Sequence, residues 1–162
     1  MFDTINGIPV HPLVVHAVVV LLPLATLGTI AIAVRPKWRR PYGPLVVASA
    51  LVATVLCPVA TSSGEALEER VGEPEAHAEL GESLIWFSVA LLLASAALVY
   101  LQRQHERRAA ADGAAATSTT ALTVVAVVAV IAGLAAGVQV YRVGDSGAKA
   151  AWGDAAGSVA GD

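Results

Sequence analysis

The sequence predicts an all-α membrane protein, a four-transmembrane-helix up-down bundle with both termini on the extracytoplasmic side. Three observations carry this. Apolar residues make up 56% of the chain and charged residues 14%, against roughly 25% charged in a soluble domain, and the mean hydropathy is +0.69. Four apolar runs (13–34, 43–63, 83–101 and 120–141) each hold about 19 to 22 residues, close to the roughly 20 that a helix needs to cross the hydrocarbon core. Seven of the ten basic residues fall in two of the intervening segments. The whole chain, 1–162, reads as one four-helix domain, with an acidic outer connector at 64–82 and an outer C-terminal tail at 142–162.

The first run opens at HPLVVH. Pro12 suits the first turn of a helix, where its missing N–H would be unpaired anyway; that makes His11 an extended, cap-like residue and puts His16 one turn inside. Five positions apart on a helix, the two side chains diverge by roughly 140°, so HPLVVH is not a one-face chelate. Pro23 and Pro58 predict kinks in the first and second runs. Cys57, the lone cysteine, excludes an internal disulfide and reads as a small packing residue. The third helix is expected from Pro74. It carries a wet acidic stripe of Glu75, Glu79 and Glu82, and on another face the line His77, Gly81, Ser88 and Ser95, small residues that let membrane helices approach. That line turns His77 toward the bundle axis. In the fourth run Gly133 and Gly137 form a small-xxx-small packing face, and Gln139 is placed to bond across the bundle or point into a cavity. A soluble bundle would need a polar face on each helix, and ALTVVAVVAVIAGLAAGVQV has none.

Four spans put both termini on one side. The segments RPKWRRPYG and QRQHERRAAADGAAATST carry Arg35, Lys37, Arg39, Arg40, Arg103, Arg107 and Arg108. The positive-inside rule assigns them to the cytoplasm, in contact with anionic lipid, and the termini to the outside. Eleven of the thirteen acids lie on the outer side. MFDTINGIPV has no basic residue, so it lacks the n-region of a signal peptide. The expected location is a bacterial cytoplasmic membrane. The basic segments do not imply nucleic acid, and no internal repeat is evident.

His11, His16 and His77 all reach the outer face, with the glutamates of the connector; His105 lies alone among inner arginines. Two chemistries suit this set. Haem b could take imidazoles as axial ligands, with Arg142 or Lys149 pairing its propionates. By span boundaries His16 lies ~5 Å inside the membrane and His77 ~10 Å outside, so His11 and His77 are the closer pair in height. A divalent metal could take imidazole and carboxylate, from His11, His16, His77, Glu65 and Glu69. The competing reading is a polar network tying helices together in a non-catalytic scaffold or assembly subunit; a third is a metal-ion sensor or transport accessory. There is no phosphate loop after a strand, no arguable nucleophile–base set and no pair of carboxylates inside the spans, so a stand-alone enzyme is not expected. A solute channel of four short helices would need a homo-oligomer.

GIPVHPLVVHAVVVLLPLA, then TSSGEA, HAELG and YRVGDSGAKAAW, in that order along nearly the whole chain, resemble the bacterial membrane family called domain of unknown function 2231. The resemblance implies a four-helix membrane protein without an established activity. Fusions of some relatives to Rieske or cytochrome modules imply a redox or respiratory partner. Motif residues carried over are His11, Pro12, His16, His77, Gly144, Ser146 and Gly147. Asp145 departs from a histidine common in the family, which argues against a ligand role for the tail; it can instead pair with Lys149 at i, i+4.

Overall fold

A computed structural model describes the backbone of residues 4–5, 8–71, 75–112 and 119–159, and the side chains of 11–65, 77–111 and 120–149. Two short strands, β1 (Thr4–Ile5) and β2 (Ile8–Pro9), pair antiparallel, Thr4 with Pro9 and Ile5 with Ile8. Four helices follow: α1 (Val10–Val34), α2 (Pro36–Val71), α3 (Glu75–Asp112) and α4 (Thr119–Val159). Each contains a stretch long and apolar enough to cross a membrane. Each helix packs on its chain neighbours, and α4 closes the ring onto α1. The fold is therefore an all-α four-helix membrane bundle, and the exposed Leu24, Leu27, Leu45, Leu93, Ile131 and Leu134 form its lipid-facing belt.

Helix extends further than hydropathy suggests. RPKWRRPYG, expected as a loop, is helical from Pro36 onward, and only Arg35 stands between α1 and α2. Proline at the first helical position and the restricted residue before it make this corner. Arg39 completes it. Its Nε donates to the Ile32 carbonyl at 2.9 Å and its Nη2 to the Ala33 carbonyl at 2.9 Å, closing carbonyls that the end of α1 would leave open. On the other side α2 continues through GEALEERV, rich in good helix formers, and α4 through GDSGAKAAWGDAAGSV, where four glycines lower intrinsic propensity and alanines favour it; the sequence suggested a connector and a tail there. α1 starts at Val10, so His11 lies in its first turn and not in an extended cap. Helix continues through Pro23 and Pro58.

The interior has two apolar clusters. Val18, Leu22, Ala53, Cys57, Leu84 and Leu91 lie in the one below the histidines; Ile32, Val46, Ala94, Leu98 and Ala129 lie in the one toward Arg39. Ser88 and Ser95 on α3 are fully buried and bond to carbonyls of their own helix, so the small-residue line below His77 does face the axis. Gly133 is a close-packing position. A Cβ there would stand 2.8 Å from Ile30 Cγ1, so α4 meets α1 backbone to side chain.

Candidate functional site

His11 of α1 and His77 of α3, on diagonally placed helices, line one cleft of about 110 Å³ at the end of the bundle. Its inner wall is apolar, with Val15, Val18, Leu84, Val143 and Cys57 among its residues; Glu65 and Glu82, both exposed, stand at its rim. Gly81 contributes open space, since nothing lies within 4 Å of where its Cβ would be.

The two histidines are held in the same way. His11 Nδ1 is 3.0 Å from the Ala60 carbonyl and 3.2 Å from Ser63 Oγ. A carbonyl can only accept, so Nδ1 carries the proton. Ser63 Oγ spends its own proton on Ala60 at 3.0 Å. His77 Nδ1 is 2.9 Å from Ser146 Oγ, and that hydroxyl donates to the Val143 carbonyl at 2.9 Å, so it accepts from Nδ1–H. Each ring also lies on a glycine. A Cβ at Gly64 would come 3.1 Å from His11 Cε1, and one at Gly147 would come 2.9 Å from His77 Cε1. Each helix pair, α1–α2 and α3–α4, thus carries one device: a histidine near the start of its first helix seated on a Ser-Gly step of its second. Neither Nε2 is hydrogen-bonded among the described residues. In the neutral ring that nitrogen is a bare lone pair, which is how a ligating histidine is held when its other nitrogen donates to protein.

The remaining residues singled out by the sequence lie elsewhere. His16 is exposed, its Nδ1 bonded to the carbonyl of Pro12 one turn back, and it does not line the cleft. Arg142 is exposed and reaches Gln139 Oε1 at 3.5 Å. Lys149 is exposed and paired with Asp145 at 2.7 Å. Glu69 lies outside the residues whose side chains are described. Among the described residues no three His, Cys, Asp or Glu side chains converge tightly enough to hold a metal ion by themselves. Gln139 does bond across the bundle: its Nε2 donates to the Leu80 carbonyl at 3.1 Å and to Ser83 Oγ at 2.7 Å, locking α4 to α3 just below the cleft.

Residue-by-residue reading missed Ser63 and Gly64, and missed the repetition of the device. The available signal was the Ser-Gly step at 63–64 and again at 146–147, one at the very end of its span and one just beyond it, each on the helix that follows a histidine-bearing one.

A family model described as predicted membrane protein (DUF2231) matches residues 7–160. No curated protein and no solved structure matches the chain. The chain belongs to that family of membrane proteins.

Proposed function

We propose that this member of the family binds a single transition-metal ion in the cleft between His11 and His77, on the extracytoplasmic side of a bacterial cytoplasmic membrane, in a redox or metal-handling setting. One observation carries the reading. Two histidines from different helix pairs line one cleft, each with Nδ1–H anchored and Nε2 unengaged. Imidazole nitrogen suits zinc, copper, iron and nickel. Water would complete the shell, because two imidazoles alone leave coordination positions open, and the exposed Glu65 and Glu82 at the rim would add negative charge near the ion. Volume favours an ion over haem b. About 110 Å³ is below the roughly 300–1,000 Å³ of pockets that enclose drug-sized ligands. The extracytoplasmic assignment rests on the basic residues gathered at the opposite end of the bundle.

One observation favours a second reading. Both Nδ1 bonds cross between helices, so the histidines also tie each pair together, as a scaffold would require. Zinc titration of the full-length, detergent-purified protein, with metal analysis and an oxidised-minus-reduced absorption spectrum, separates the readings. A metal site gives one ion per chain, lost in His11→Ala and in His77→Ala and kept in His16→Ala. A scaffold gives no stoichiometric ion, and the same two substitutions then only lower the unfolding temperature. A Soret band would overturn the choice of an ion over haem.

A further inference from the structure

At the other end of the bundle a groove of about 520 Å³ runs between the start of α4 and the α1–α2 corner. Arg39, Gln102 and His105 line its polar end; Val34, Val127 and Ile131 line its flank. Arg39 is only 6% exposed, and among the described residues no carboxylate lies within ion-pair distance of it. Its three nitrogens each donate once, to the Ile32 carbonyl, to the Ala33 carbonyl and, from Nη1 at 3.1 Å, to Gln102 Oε1. One N–H on each Nη is left over. Glu106 enters the network only through Gln102, whose Nε2 donates to it at 3.0 Å. A charge taken out of water needs a partner, because desolvation costs several kcal/mol per ion, at order of magnitude.

A second atom has the same need. His105 Nδ1 is buried and has no hydrogen-bond partner among the described residues. The groove's flank is apolar and open. Val34, Val127 and Ile131 are 62%, 54% and 60% exposed, on the bilayer side of a membrane helix bundle. An anionic head beside Arg39 and His105 with an alkyl tail over these side chains is the chemistry of one molecule.

We infer that this groove binds an anionic phospholipid from the leaflet at the basic end of the bundle, its phosphate received by the spare Arg39 N–H groups and His105, and an acyl chain laid along α4 past Val127 and Ile131. Basic pockets between membrane helices bind anionic headgroups in this way. A zwitterionic lipid supplies a phosphate too, but brings a second positive charge to a site already holding one.

The test is native mass spectrometry of the full-length protein from neutral detergent, titrated with dioleoylphosphatidylglycerol, with dioleoylphosphatidylcholine and with inorganic phosphate. The expected result is one tightly held phosphatidylglycerol per chain. Its affinity should fall roughly tenfold or more in Arg39→Gln, as expected for loss of charge-assisted bonds, and stay unchanged in Arg40→Gln, an exposed neighbour. Val127→Trp, which obstructs the tail without touching Arg39, should weaken the lipid as well, and it decides the matter if Arg39→Gln does not fold. Equal binding of the two lipids overturns the inference. So does an equal loss in Arg39→Gln and Arg40→Gln, or an undiminished affinity in Val127→Trp. Displacement of the lipid by millimolar phosphate would overturn the lipid assignment in favour of a free anion.

Discussion

The two Ser-Gly seats are not equivalent, and the difference makes a sharp prediction. Ser146 Oγ is the acceptor the structure gives to His77 Nδ1–H. Ser146→Ala therefore leaves a half-buried N–H without a partner, a loss of about 1–3 kcal/mol, and frees the ring to rotate and change tautomer. Support of this kind behind a ligating histidine is worth roughly 10- to 100-fold in metal affinity. Ser63→Ala removes only the longer of two bonds, because the Ala60 carbonyl still accepts from His11 at 3.0 Å; its effect should fall well below that range. Ser146→Thr keeps the hydroxyl oxygen and should restore binding. Zinc calorimetry gives the affinities. Nitrogen NMR of histidine-labelled protein reads the tautomer directly, with His77 showing a protonated Nδ1 in the parent and in Ser146→Thr and a mixture in Ser146→Ala. Equal losses in Ser63→Ala and Ser146→Ala would refute the reasoning. So would an unchanged zinc affinity in Ser146→Ala together with a complete loss in His77→Ala.

Three further outcomes follow from packing and exposure. Gly133→Val places a side chain where even a Cβ would stand 2.8 Å from Ile30; overpacking of this kind costs about 1–3 kcal/mol, read as a lower unfolding temperature in detergent. Gln139→Leu removes the bonds to Leu80 and Ser83 from a side chain only 3% exposed. It should destabilise by roughly 1–3 kcal/mol and loosen the cleft, seen as faster hydrogen exchange around His77. Lys149→Ala breaks an ion pair whose lysine is 76% exposed. The unfolding temperature and zinc affinity should both stay where they are, and a fall in zinc affinity would bring Lys149 back into the site.

The spans were legible because hydropathy is local and additive. A run such as LIWFSVALLLASAALVYL commits itself to the bilayer whatever its neighbours do, and four such runs fix an even number of crossings. The line through Ser88 and Ser95 was legible for a similar reason: helical periodicity alone decides which residues share a face. Helix ends were less legible. Hydropathy marks where the membrane stops, not where the helix does, so the helical extensions of α2 and α4 read as a connector and a tail.

The site needed the tertiary structure. His11 meets Ser63, and His77 meets Ser146, across 52 and 69 positions of chain. Such meetings depend on how far each helix is rotated and slid against its partner, and a shift of one residue turns a side chain by roughly 100°. Nothing in the chain's local pattern sets that register. It is set by close approaches such as Gly133 on Ile30 and by cross-bundle bonds such as Gln139 to Ser83. Arg39 shows the same division. By sequence it is one of seven basic residues in the two segments that share one end of the bundle. Folded, it caps α1, is nearly buried and stands beside an open apolar groove, because the corner at Pro36 brings it back against the carbonyls of the helix before it.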